Sequence, residues 1–201
     1  YPKDAFFCWD MTDTHSYIIG DFVWTAMDYL GESGIGRTYI AGEEPDGEHW
    51  SADHFPWHGA YCGDIDLIGW RKPISHYRDM LWNNSEKIYM AVKQPNPEGK
   101  QIKETMWSVW PTWPSWTWPE YAGKAITVEV YTKFPEVKLY LNEELLGEQQ
   151  VSKETEFKAR FDINYQPGVL DAKAYENGIL KESTVLQTAK AVDQIKLAAE
   201  N

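Results

Sequence analysis

Cysteine is nearly missing from this sequence: Cys8 and Cys62 are the two among 201 residues. Two thiols in apolar or aromatic settings rule out a disulfide framework and read as buried thiols. Long apolar runs are missing too, since no stretch approaches the roughly 20 residues of a spanning helix. Positive charge is in deficit, with 19 Lys plus Arg against 31 Asp plus Glu and a formal charge of -12. Such a chain repels phosphate backbones and anionic bilayer surfaces, so neither nucleic acid nor membrane is expected as a partner. There is no GxGxxG, GxxxxGK[ST], HExxH or GxSxG, which removes any foothold for nucleotide, zincin or serine-hydrolase chemistry. Tryptophan is absent from the last part of the chain, all 11 lying at or before Trp118. Composition therefore changes near Pro119.

What is present is most informative at GDFVWTAMDYLGE, Gly20 to Glu32. Phe22, Val23 and Trp24 read as a short strand buried on both faces, as in a parallel sheet between helices. Ligands in such sheets lie beyond the carboxyl ends of the strands, where Trp24, Asp28, Tyr29 and Glu32 follow. Upstream, Asp4 is placed to cap a helix running through Phe6, Phe7, Trp9 and Met11. Pro73 suits the first turn of a helix whose apolar face is Ile74, Tyr77, Met80 and Leu81. Ile88 to Lys93 alternates as a strand. Between Trp107 and Trp118, five tryptophans and nearby prolines leave little room for regular structure, and an ordered linker pinned by aromatic packing is expected.

After Glu120 the alternation is clean. Ile126, Val128 and Val130, then Val137, Leu139 and Leu141, then Phe157, Ala159 and Phe161, then Leu170, Ala172 and Ala174 each mark one face of a strand. Ile179 to Gln187 and Gln194 to Ala199 bring the count to about seven, which suits an immunoglobulin-like sandwich. Asn177-Gly178 and Gln166-Pro167-Gly168 are turns, whereas at Asn142 the next residue is Glu143, where glycine would turn better. The expected fold class is mainly β. The divisions are 1-84, 85-120 as strand plus Trp/Pro-rich linker, and 121-201 as sandwich.

These residues also carry a resemblance. GDFVWTAMDYLGE with HGAYCGDIDLIGWRKPISHYRDMLW, His58 to Trp82, resembles the end of the catalytic barrel of family 2 glycoside hydrolases, the β-galactosidase group. PSWTWPEYAGKAITVEVYT and EVKLYLNEELLG resemble the sandwich that follows it. The resemblance implies a seventh barrel helix at Asp4 to Thr14, an eighth strand at Gly20 to Trp24, and a closing loop and helix at 58-82. A complete barrel needs roughly 250 residues, so an incomplete TIM barrel is implied, in a piece of a larger retaining glycosidase. Family members use two carboxylates about 5 Å apart. Both belong to earlier barrel strands, so no catalytic residue is assigned here. The implied substrate is a terminal β-galactoside; a β-glucuronide, or a non-catalytic carbohydrate-binding or structural sandwich, are the alternatives.

As a bare residue Trp24 reads first as core packing; the resemblance reverses that and makes it an aromatic wall of the sugar subsite. Asp64 falls where the family can carry an amide that bonds the sugar, although a carboxylate accepts and cannot donate. Its plain reading is a turn acid before Ile65, or an acid solvated at the rim. Asp28 and Tyr29 are placed at the same mouth, with Glu32 and Asp66 weaker. His49, Asp53, His54 and His58 suggest a metal by spacing, but Pro56 opposes a helix there, and no metal ligand is assigned. No cofactor is expected, except that the resemblance associates an alkali or magnesium ion with the parent, near Tyr61. A carbohydrate in the parent is the expected partner, with self-association through the incomplete barrel segment. A Trp107, Trp110, Trp113, Trp116 and Trp118 platform is the sugar-binding alternative. Compartment stays open, a periplasmic or secreted parent being compatible.

Overall fold

Alternation explains most of the architecture of the computed structural model, which describes residues 4-32, 34-43, 58-83 and 85-190. In chain order the elements are α1 (Ala5–Thr14), β1 (Tyr29–Leu30), β2 (Thr38–Ile40), β3 (Gly59–Ala60), α2 (Pro73–Trp82), β4 (Ile88–Lys93), β5 (Ile102–Glu104) and β6 (Thr112–Trp113). They continue with β7 (Ala125–Thr132), β8 (Glu136–Leu141), β9 (Glu144–Gln150), β10 (Lys158–Asn164), β11 (Val169–Glu176) and β12 (Ile179–Gln187). Two four-stranded antiparallel sheets, ordered β10-β7-β4-β6 and β12-β11-β8-β9, face each other. Strand order and pairing are those of an immunoglobulin-like sandwich. Its core is the set that the period of two selects, with Val128, Val130, Leu139, Leu170 and Ala172 all fully buried. Residues 194-199, expected as a last strand, lie outside the described residues.

The sandwich begins earlier than expected. Strand β4 pairs with β7, Met90 opposite Val130, and so supplies the first strand of a sheet. From segment 85-120, β4 and the short β6 join the first sheet, while β5 pairs with β2 in a sheet of their own. Trp116 is fully buried in the sandwich core, its indole N–H donating to the Gln166 carbonyl at 3.1 Å. A five-tryptophan sugar platform is accordingly not available, because Trp116 faces the core.

Both hairpins of the second sheet close. Asn177-Gly178 and Asn142-Glu143 each hold two successive residues at positive φ, +53° and +73° in the first and +49° and +71° in the second. That double left-handed geometry matches the twist of the flanking strands. Glu143 adopts it without the freedom of a glycine.

The leading segment differs. Helix α1 forms where expected, although Asp4 makes no side-chain capping bond, and α2 starts with Pro73 in its first turn. The two helices bury Ala5, Trp9, Tyr77, Met80 and Leu81 against Tyr131 and Ala91 on the outer face of the first sheet. The buried strand expected at Phe22 to Trp24 is not formed. Phe22 is 102% exposed, and no strand among the described residues lies beside it to supply a ladder. A strand exists by pairing, and an apolar run alone does not make one. Among the described residues no helix is long and apolar enough to cross a membrane.

Candidate functional site

Two loops carry the candidate residues and run side by side. Thr25 N–H donates to the Cys62 carbonyl at 3.3 Å, Asp64 N–H to Thr25 at 3.1 Å, Ile65 N–H to Ala26 at 3.0 Å and Asp28 N–H to Ile65 at 2.8 Å. This alternation of donors stitches 25-28 to 62-65 in a parallel sense, and the antiparallel β1-β3 pair, with Tyr29 opposite Ala60, adds a second contact between the loops. Gly63 permits the approach, since a Cβ there would lie 2.2 Å from the Asp28 backbone nitrogen. The stitching brings Trp24, Asp28, Tyr29 and Asp64 into one neighbourhood.

Their environments divide them. Trp24 is 58% exposed, and the Tyr29 ring meets it edge-on with centroids 6.5 Å apart and planes at 89°. An exposed aromatic wall braced by a second ring is an arrangement on which an apolar sugar face can pack. The Tyr29 hydroxyl donates to the Glu32 carboxylate. Burial, then that hydrogen bond, pushes the phenol up to about 12, so it stays protonated at neutral pH.

Asp28 and Asp64 are buried. Asp28 Oδ1 accepts the Gly63 N–H at 2.8 Å and the Lys72 ammonium at 2.7 Å. Asp64 forms an ion pair with Arg78 Nε at 2.8 Å, and its backbone carbonyl takes the Lys72 N–H at 2.8 Å. Burial raises both carboxyl pKa values, outweighing the opposing charges of Lys72 and Arg78 respectively. These acids brace the loops and hold them to helix α2. Asp64 Oδ1 is buried and has no hydrogen-bond partner among the described residues, which leaves it able to accept a donor. Asp66 behaves as a turn acid, its Oδ1 accepting Ile68 N–H at 3.0 Å and Trp70 N–H at 2.8 Å.

Sequence reasoning passed over Lys72 and Arg78, the cations that partner both buried acids. A signal for them existed: Arg71, Lys72 and Arg78 are concentrated just after Asp64 and Asp66. The Lys72 ammonium also donates to the Tyr61 carbonyl at 3.0 Å. His49, Asp53 and His54 lie outside the described residues, and His58 is exposed. Cys62 is buried and Cys8 half-buried, both as free thiols.

Comparison with known proteins gives the class. A family model described as a domain of unknown function (DUF4982) matches residues 123-180, within the sandwich. Two solved structures of glycosyl hydrolase family 2 members from Bacteroides cellulosilyticus match 98% of the chain. The first has 33% identity and a TM-score of 0.81, the second 30% identity and a TM-score of 0.73. A provisionally named β-glucuronidase of Formosa agariphila is 24% identical over 94% of the chain. The chain spans 25% and 22% of the two solved chains and 15% of the curated relative. Over this stretch the chain is similar to the matching part of glycoside hydrolase family 2 members. A β-glycosidase from Bacteroides vulgatus, 21% identical with a TM-score of 0.64, shares the fold.

Proposed function

We propose that this chain is the carboxyl-terminal portion of a retaining glycosidase that acts on terminal β-galactosides, with Trp24 as a wall of the sugar subsite. The observation that carries this reading is the exposed Trp24 ring, braced by Tyr29, at the mouth of two loops fixed by buried ion pairs. Rigid support under an exposed aromatic is what a positioning wall requires. Asp64 Oδ1 supplies an acceptor for a sugar hydroxyl. The catalytic carboxylates are assigned to a part of the parent that this chain does not carry. Exposed Ile19, Phe22, Leu67 and Ile68 beside the site suit burial by that further part.

A β-glucuronide substrate is the second reading, favoured by the name of the Formosa agariphila relative. Local charge supports the neutral sugar instead. The cations nearest the mouth, Lys72 and Arg78, are already paired with Asp28 and Asp64, whereas Asp21 and Glu32 stand exposed. A sugar carboxylate would meet net negative potential there.

Titration of the chain with methyl β-galactoside and with methyl β-glucuronide, followed by tryptophan fluorescence, tests the reading. Saturable quenching by the galactoside, lost in Trp24→Ala and weaker for the glucuronide, is expected. Quenching that survives Trp24→Ala would remove Trp24 from the site, and preference for the glucuronide would reverse the substrate assignment.

A further inference from the structure

The outer face of the first sheet carries a second cluster, remote in sequence from the Trp24 loops. Pairing places Arg160, Glu129 and Ala91 in one cross-strand row of β10, β7 and β4, with Lys93 opposite Thr112 on β4 and β6. Helices α1 and α2 cover the Tyr131 end of this face. Beside them lies a cleft of about 130 Å³, lined by these side chains with Lys158, Glu104 and the Trp110-Pro111 segment.

Counting partners shows which groups in the cleft are spent. Glu129 is saturated, its Oε1 accepting Arg160 Nε at 3.1 Å and its Oε2 accepting the Tyr131 hydroxyl at 3.0 Å. Lys158 donates to Glu156 at 2.8 Å and lies 4.0 Å from the Trp110 ring centre and 4.6 Å from that of Tyr77. Its ammonium is held between that carboxylate and the two rings, and it adds positive charge to the cleft. Three donors remain. The Lys93 ammonium makes no ion pair among the described residues, and the Arg160 guanidinium is bonded through Nε, leaving its terminal nitrogens open. The hydroxyl of Thr112, itself buried, approaches that of Tyr131 without meeting it in hydrogen-bonding geometry and has no partner. A buried hydroxyl left unbonded is costly, so a ligand that accepts from it gains what the fold forgoes.

We propose that this cleft binds a small oxyanion, a carboxylate or sulfate group, through Lys93, Thr112 and the Arg160 terminal nitrogens. Three cations line it against two carboxylates, one of them saturated, in a chain whose overall charge of -12 would repel anions. Binding must therefore be local, because long-range attraction has the wrong sign. Glu104, the unsaturated acid of the cleft, opposes the ligand and supplies a control of opposite direction.

The test is isothermal titration of the 201-residue chain at fixed ionic strength with sodium sulfate, sodium glucuronate and, as neutral control, galactose. Saturable binding of sulfate or glucuronate is expected, weakened about tenfold or more in Lys93→Ala, where one charge-assisted bond is lost. Thr112→Val should weaken it as well, and Glu104→Gln should strengthen it. Sulfate binding with no gain from glucuronate supports the oxyanion site with a free ion as occupant; tighter glucuronate binding supports it with a sugar acid as occupant. Absence of saturation by either anion would overturn the proposal. So would equal binding of galactose, unchanged affinity in Lys93→Ala, or weakening in Glu104→Gln. Lys93 is exposed, so its alanine variant keeps the test decisive even where Thr112→Val fails to fold.

Discussion

Phe22-Val23-Trp24 and the Ile126, Val128, Val130 set are both apolar, yet one is exposed and the other forms the floor of a closed core. The second set lies on a strand flanked by β10 and β4, so each inward side chain is covered and each backbone amide has a ladder partner. The first has no flanking strand among the described residues. Within one chain, the same residue chemistry gives opposite burial according to whether neighbours exist to pair with it. Side-chain hydrophobicity states a demand; pairing decides whether it is met.

The sharpest break of that comparison is a pair of truncations. Trp116→Ala removes a fully buried indole from the sandwich and should lower unfolding free energy by about 4 kcal/mol. Phe22→Ala, on a fully exposed ring, should change it by less than about 0.5 kcal/mol. Urea unfolding monitored by far-ultraviolet dichroism reads both. Equal losses in the two variants would show that the leading segment owns a core that the geometry does not display.

The sandwich was legible from sequence because period-two patterning and turn residues act over a few neighbours. Asn177-Gly178 and the inward sets needed no knowledge of distant chain. Strand β4 was legible as a strand, but its membership of the sheet was not, since Met90 pairs with Val130, 40 residues on (130 minus 90), and that pairing is a tertiary fact. The candidate site was readable in its residue types and not in their roles. Asp28 and Asp64 read as acids of the mouth, but the cations that hold them, Lys72 and Arg78, lie 44 and 14 residues further along the chain.

A second test concerns how far the leading segment is independent of the sandwich. Asp28→Ala leaves the Lys72 ammonium half-paired in a largely buried setting, and removing one partner of such a pair costs about 3 kcal/mol. The loss should be local, read as faster amide hydrogen exchange at Gly63 to Ile65, with exchange in β7 and β11 unchanged. Equal acceleration in both regions would mean that they unfold as one unit.

Acid offers a subtler separation. Burial raises the Asp64 pKa above its ordinary 3.8, so the native state holds this proton more tightly than the unfolded chain. Its contribution to stability is then fully present below about 3.8 and is lost as pH rises through the raised native value. Asp79 runs the other way, its carboxyl lowered first by the Ser85 hydroxyl, so its contribution fades as pH falls. Replacing Asp64 with Asn should therefore steepen the loss of stability on acidification in the window just above pH 3.8. An unchanged slope between wild type and Asp64→Asn in that window would contradict a buried, proton-retaining carboxyl.

The smallest expected effect lies in the sandwich and tests how completely local rules govern it. Glu143 sits at φ +71° in the second position of the Asn142-Glu143 turn, where a side chain bearing Cβ pays for left-handed backbone. Gly178 occupies the equivalent position of the Asn177-Gly178 turn at φ +73°, with open space around the point where a Cβ would be. The two hairpins thus differ at one position by residue type while sharing conformation. Glu143→Gly should raise stability by about 1 kcal/mol, and Gly178→Ala should lower it by a similar amount, because neither change touches packing. Denaturation midpoints should move in opposite directions with unchanged urea dependence. If Glu143→Gly left the midpoint where it was, the strain at this turn would have to be relieved by contacts elsewhere in the β8-β9 pair, and the sandwich would be less local in its rules than its sequence suggests.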